Sequence, residues 1–161
     1  MTILVGWLLN NKTVREAMTP MTTIPEILKN SKTVAVVGLS DKPERASGHV
    51  AAYLQQQGYR IVPVNPNYAG QQILGEPVYA SLHDAAAALA QDGLRIDIVD
   101  CFRNSADMQP VARDAVAVRA GCLWMQLGVI NQGAADLAAA AGLQVVMDRC
   151  MKIEHAALEQ A

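Results

Sequence analysis

The amino-acid sequence predicts an α/β protein: a single Rossmann-like, doubly wound domain on a mainly parallel five-stranded sheet. Three observations carry this. Short β-branched runs alternate with longer stretches whose apolar residues recur at helical spacing. The first run, Thr33–Val37, is apolar after its threonine, as a strand covered on both faces requires. The chain has 161 residues, 52% of them hydrophobic, which suits one ordinary domain with a real core.

The elements follow in order. Ile24–Asn30 reads as a short helix, capped by Thr23 with Pro25 in its first turn. Thr33–Val37 is a strand that ends at Gly38. Ala46, Val50, Ala51 and Leu54 fall at helical spacing, and Gly58 stops that helix. Residues 59–64 form a second strand, in which Pro63 signals an irregularity or an edge position. The long loop 65–82, with Pro66, Gly70, Gly75 and Pro77, is either functional or mobile, and holds a small strand over 77–79. An alanine-rich helix over 84–91 leads to a strand over 96–100. Asn104 or Ser105 then caps a helix whose inner face is Met108, Val111, Ala112, Ala115 and Val116. Residues 122–127 make the fourth strand. Asn131 caps a helix carrying Leu137, Ala138 and Ala141, closed by Gly142. A fifth strand spans 143–147, and 151–158 is helical. Residues 23–161 form the domain, and 1–22 are an extension it does not need.

Composition excludes several classes. Aromatics are 4% and the pI is about 5.9, against an aromatic-stacking or broadly basic nucleic-acid binder. No apolar run approaches the roughly 20 residues of a membrane span. Residues 3–9 are apolar but lack a preceding basic residue, which makes a poor signal peptide. Cys101, Cys122 and Cys150 form no CxxC pair and resemble neither a disulfide framework nor a zinc site. A reducing cytoplasm is the compartment this usage implies.

In an open parallel sheet, ligands bind beyond the carboxyl ends of the strands, where the strand order reverses. That rule selects the loops after each strand. After the first come Gly38, Leu39, Ser40, Lys42, Arg45 and Ser47. The glycine fingerprint is incomplete, since Ser40 and Pro43 stand where the second and third glycines would be. The small residues still admit phosphate, the serines add hydroxyls, and the following helix N-terminus favours an anion. Lys42 and Arg45 add full charges, and arginine grips phosphate bidentately. Val64, Asn65 and Pro66 end the second strand without the carboxylate that takes the ribose hydroxyls of NAD. A ribose-phosphorylated adenosine, as in NADP or coenzyme A, prefers that absence. Phe102 and Arg103 follow the third strand. Gln126, after the fourth, is placed either to hold a ligand amide or to satisfy backbone groups of its loop. Asp100 and Asp148 read either as an acid pair or as partners of helix ends and of Arg103 and Arg149. Cys150, beside Arg149, is either a stabilised thiolate or a packing residue. His49, His83 and His155 stand in unrelated contexts and suggest no metal cluster or triad.

The strings VAVVGLSDKPERAS, YRIVPVNPN, ILGEPVYASL, IDIVDCFRNS, LWMQLGV and GLQVVMDRC resemble the small stand-alone coenzyme A-binding domain family. That family shares its fold with the coenzyme A-binding domain of succinyl-CoA synthetase alpha subunits. The resemblance covers about residues 33–155, with the blocks in order. It implies that coenzyme A, or an acyl-CoA, lies across the strand ends. Its phosphates would meet Gly38, Ser40, Lys42 and Arg45. Its adenine end would lie by Val64, Asn65 and Pro66, near Phe102 and Arg103.

The sequence therefore supports a non-catalytic coenzyme A-binding module, a carrier, sensor or regulator with a small-molecule nucleotide ligand and no convincing catalytic constellation. The alternative is an NADP-type oxidoreductase or an acyl-CoA ligase component that needs a partner chain. A third reading is a scaffold with a vestigial nucleotide site, and the basic residues after the first strand argue against it.

Overall fold

The computed structural model describes residues 22–160. The expected extension over 1–22 lies outside the described residues apart from Thr22, whose N–H donates to the Gln144 side chain at 3.1 Å. The described chain begins with α1 (Ile24–Asn30), capped by the Thr23 hydroxyl with Pro25 in the first turn. It continues through β1 (Thr33–Val37), α2 (Ala46–Gln56), β2 (Arg60–Val64) and a hairpin of β3 (Gln72–Ile73) and β4 (Glu76–Pro77). Then come α3 (Leu82–Gln91), β5 (Ile98–Cys101), α4 (Met108–Ala117), β6 (Cys122–Met125), α5 (Gln132–Ala140), β7 (Gln144–Val146) and α6 (Met151–Glu159).

Five strands form one sheet in the order β2-β1-β5-β6-β7, parallel at every pairing. Every residue of β1, β5 and β6 is buried, as a strand covered on both faces requires; β1 after Thr33 and β6 are apolar throughout, whereas β5 buries one carboxyl, Asp100. On one face, Leu28 of α1, Leu54 of α2 and Met151 of α6 pack against Val34, Val36, Ile98 and Trp124. On the other, Leu89, Ala112 and Ala138 bring α3, α4 and α5 onto Ala35, Val99 and Leu123. The alanines let helix backbones approach the sheet closely. A fully buried leucine such as Leu54 contributes about 2–5 kcal/mol by the measure of its truncation to alanine.

Several boundaries differ from the sequence reading, each for a local reason. Pro63 lies in β2, an edge strand, where its missing N–H leaves no ladder bond unmade on the open side. The small strand expected over 77–79 is instead the β3–β4 hairpin, and Tyr79 forms a single parallel bridge to Val64. The helix expected over 84–91 starts two residues earlier, because the Ser81 hydroxyl accepts the Asp84 N–H at 3.1 Å. The strand expected over 96–100 runs Ile98–Cys101, and β6 stops at Met125 rather than residue 127. Neither Asn104 nor Ser105 caps α4 through its side chain; a short 3-10 turn, Ser105–Asp107, leads into it. The Ser105 hydroxyl accepts the Ile130 N–H at 2.9 Å and thereby ties two strand-end loops together. Asn131 does cap α5, accepting the Ala134 N–H at 2.9 Å, while Ala141 lies just past that helix.

Candidate functional site

The helix that follows β1 packs on one face of the sheet and the helix that follows β5 on the other. The ends of these adjacent strands therefore part, and the crevice between them is the switch point. Gly38 and Phe102 stand there. The Phe102 N–H donates to the Val37 carbonyl at 2.9 Å, and the Gly38 N–H donates to the Val64 carbonyl at 2.9 Å. Gly38 has φ +86°, and a β-carbon on it would overlap the Phe102 carbonyl oxygen. The sequence reading gave this glycine to phosphate. Its N–H is committed to Val64, and the missing side chain makes room for the neighbouring strand end.

Residues 39–45 wind back onto the first turn of α2. Leu39 is fully buried, and its carbonyl accepts the Asn65 side-chain amide at 3.0 Å. The Ser47 hydroxyl accepts the Ser40 N–H at 3.0 Å, and the Ser40 hydroxyl accepts the Lys42 N–H at 3.1 Å. Both serines thus shape the loop as acceptors, and neither bond uses the hydroxyl proton that a ligand oxygen would take. Gly48, which the sequence reading passed over, makes that wrapping possible. A β-carbon there would lie 3.0 Å from the Lys42 carbonyl oxygen and 3.1 Å from that of Pro43. The signal in the sequence was a glycine in a first helical turn, where alanine is favoured by about 1 kcal/mol.

The loop leaves donors available. The N-cap residue of α2, Arg45, makes no side-chain capping bond, and the first turn contains no acidic residue. Its early N–H groups face the carboxyl edge of the sheet with the positive end of the helix dipole. Lys42 and Arg45 are exposed beside it and, among the described residues, form no ion pair. Asp41 and Glu44 share the loop, so its formal charge balances and the arrangement of donors, not bulk charge, gives it anion character. Arg103, half-exposed across the crevice, pairs with Asp107 at 3.5 Å.

At the end of β2, Val64 and Asn65 are buried and Pro66 is exposed. The Asn65 carboxamide oxygen accepts the Asn67 N–H at 3.0 Å while its amide nitrogen holds Leu39. Asn65 therefore latches the second strand-end loop to the first. Gln126 is likewise turned inward. It is 3% exposed, donates to both carboxylate oxygens of Asp100 at 2.7 and 3.0 Å, and accepts the Met151 N–H at 3.3 Å. Gln126 thus bridges the Asp100 side chain of β5 and the first N–H of α6, with only its carboxamide oxygen on a backbone group. Burial pushes the Asp100 carboxyl up to about 7 from its ordinary 3.8, against the opposing pull of the Gln126 bond.

Asp100 and Asp148 do not form a pair, nor do they pair with Arg103 and Arg149. Asp148, with φ +61°, accepts the Gly128 N–H at 2.7 Å, and Arg149 meets Glu154 at 3.2 Å. Burial raises the thiols of Cys101 and Cys122, the latter to about 12, so both are inert packing groups. Cys150 is half-buried and stands at the N-cap of α6 without a capping bond. Trp124 is core, its indole N–H donating to the Arg149 carbonyl at 2.8 Å. His49 is exposed, His83 lies by Asp114 and His155 bonds the Tyr53 hydroxyl at 2.8 Å. Among the described residues, no three His, Cys, Asp or Glu side chains are grouped to hold a metal ion.

Two concavities border this edge. One, of about 520 Å³, starts at Ser40 and Pro43 and runs over His49 and Tyr53 of α2 towards Leu74 and Lys152. The other, of about 410 Å³, lies past the ends of β6 and β7 between Leu127, Cys150 and Ile153. No helix among the described residues is long and apolar enough to cross a membrane.

The fold and its strand-end loops define a Rossmann-like α/β domain of the kind that carries its ligand site at a switch point. More narrowly, the chain belongs to the CoA-binding domain family, matching it over residues 32–156. YneT of Bacillus subtilis (strain 168) is 41% identical over 133 residues, 83% of this chain and 92% of YneT. The structure of cell-free ID.343 from Thermus thermophilus superposes with a TM-score of 0.75 at 34% identity, covering 85% of this chain and 99% of that one. A hypothetical protein from Pyrococcus horikoshii OT3 gives a TM-score of 0.76 at 36% identity, covering 84% and 89%.

Proposed function

We propose that this protein is a non-catalytic coenzyme A-binding module of a reducing cytoplasm, a carrier, sensor or regulator whose partner is the small molecule itself. The observation that carries the reading is the start of α2. It has no side-chain cap and no acidic first-turn residue, lies beside Lys42 and Arg45, and sits at the switch point of a chain in the CoA-binding domain family. Oxygen-rich phosphates answer such donors. Asn65 supports the choice of nucleotide, because the end of β2 presents no carboxylate to a ribose and repels no ribose phosphate.

The inward placement of the reactive groups supports binding without chemistry. Asp100, the carboxyl most strongly displaced from its ordinary range, is 0% exposed and lies behind Gln126. Cys101 and Cys122 are buried in the sheet. Native mass spectrometry of the purified protein, followed by calorimetry with coenzyme A, dephospho-coenzyme A, NADP and NAD, tests the reading. Coenzyme A is expected to bind most tightly, dephospho-coenzyme A more weakly, and NAD least. Tighter binding of NAD than of coenzyme A defeats it, and preferred binding of NADP restores the oxidoreductase alternative.

A further inference from the structure

We propose that the groove past the ends of β6 and β7 receives the thioester end of an acyl-CoA, so that the ligand class is acyl-CoA with a short acyl chain. This rests on the coenzyme A reading above and deepens it. Leu127 and Ile153 line the groove and are 65% and 61% exposed, which is unusual for two large apolar side chains facing one hollow. Cys150 lies in its wall, and the ion pair of Arg149 with Glu154 borders it. The hollow, about 410 Å³, is open to solvent, and Asp148, Arg149 and Glu154 share its lining with Leu127, Cys150 and Ile153, so the acyl group would lie on its apolar side beneath a charged rim.

Continuity and distance name the occupant. The groove opens on the same edge of the sheet as the start of α2, and α6, which forms one side of it, packs on the same face as α2. Phe102, half-buried against that layer, lies at the end of the intervening strand β5. From β1 to β7 there are three strand steps, so the two places are separated by about 14 Å across the edge. The pantetheine arm has about twelve bonds between its phosphate oxygen and its sulfur. At full extension, at most about 3.6 Å per three bonds, that is about 14 Å, so the arm spans the gap only when stretched along the strand ends. An arm anchored by phosphate at α2 and laid along the strand ends therefore delivers its sulfur, and whatever acyl group it carries, to Leu127 and Ile153. No bond is made or broken there; the groove recognises the acyl group by burying it.

Calorimetry of the whole protein with coenzyme A, acetyl-CoA and hexanoyl-CoA tests this, alongside a Leu127→Ser/Ile153→Ser variant. Hexanoyl-CoA is expected to bind about tenfold more tightly than coenzyme A, the gain from burying about two methylenes. In the variant that ratio is expected to fall to near one. Alkylation of Cys150 by iodoacetamide, followed by peptide mapping, gives a second readout, and hexanoyl-CoA is expected to slow it at least fivefold. Equal affinities for coenzyme A and hexanoyl-CoA in the unaltered protein overturn the proposal while leaving the coenzyme A reading intact. So does a preference that survives the double substitution with Cys150 unprotected, which would send the arm along the α2 flank instead. Binding of neither ligand overturns both.

Discussion

Gln126 donates its side-chain amide to both carboxylate oxygens of Asp100, at 2.7 and 3.0 Å, inside a part of the sheet where Asp100 is fully buried. The bond satisfies the carboxylate but brings no positive charge. Desolvation therefore prevails and the carboxyl titrates near 7 in the folded protein, against about 3.8 in a solvated chain.

Stability is expected to fall as pH rises from about 4 to about 7. Below that window the carboxyl is protonated whether the chain is folded or not. Within it the unfolded chain releases the proton and the folded chain keeps it, so unfolding becomes easier. Above about 7 the effect is complete. Its size is on the order of 4 kcal/mol if Asp100 acts alone. Asp100→Asn removes the ionisation and is expected to flatten this slope, although its amide NH2 faces that of Gln126 and offsets part of the gain at pH 8. Denaturant midpoints at pH 4.5, 6 and 8 for both proteins check it. An equal slope in the two would assign the pH dependence to other groups.

Gly38→Ala is expected to destabilise the fold by about 2–4 kcal/mol, because the residue has φ +86° and its β-carbon would strike the Phe102 carbonyl oxygen. The strain falls on the β1–β5 crossing that forms the crevice, so ligand affinity falls with stability. Urea unfolding measures the first effect and calorimetry the second. Unchanged stability with lost affinity would return Gly38 to a direct phosphate role.

The strands were legible because a parallel sheet covered on both faces demands apolar runs, and Thr33–Val37 and Cys122–Met125 supply them. The Asn131 cap was legible because its mechanism is local. The inward commitments of Ser47, Asn65 and Gln126 were not. Each depends on a partner in another segment: Ser40 across a loop, Leu39 from the neighbouring strand end, and Asp100 from β5. A polar residue after a strand looks the same in sequence whether it faces ligand or latches two loops. The exposed Leu127 was hidden for a related reason: an apolar residue following Cys122–Met125 extends the strand pattern although the strand has ended.

Gly48→Ala sets two effects against each other. Alanine favours the helix by about 1 kcal/mol. Its β-carbon would press on the Lys42 and Pro43 carbonyl oxygens at 3.0 and 3.1 Å, so the loop must shift outward by a few tenths of an ångström. Stability is expected to change by less than about 1 kcal/mol, while coenzyme A affinity falls several-fold because Lys42 is displaced. Thermal melts and calorimetry on one preparation separate the two, and full affinity would show that the loop yields without moving its basic residues.

Arg45 provides the sharpest test of the site. It is exposed, stands at the N-cap of α2 and makes no capping bond, so removing its side chain takes nothing from the folded protein. Arg45→Ala is expected to change stability by less than about 0.5 kcal/mol. If the guanidinium holds a phosphate, the same substitution costs about 1.5–3 kcal/mol of binding, the range for hydrogen bonds to charged groups. Arg45→Lys keeps the charge and loses the bidentate geometry, so it is expected to recover only part of that loss. Repeating the titrations with dephospho-coenzyme A locates the contact. A loss that disappears with dephospho-coenzyme A assigns Arg45 to the ribose phosphate, and a loss that persists assigns it to the pyrophosphate. An unchanged dissociation constant for both ligands would make Arg45 a solvated side chain and move the anion site away from the start of α2.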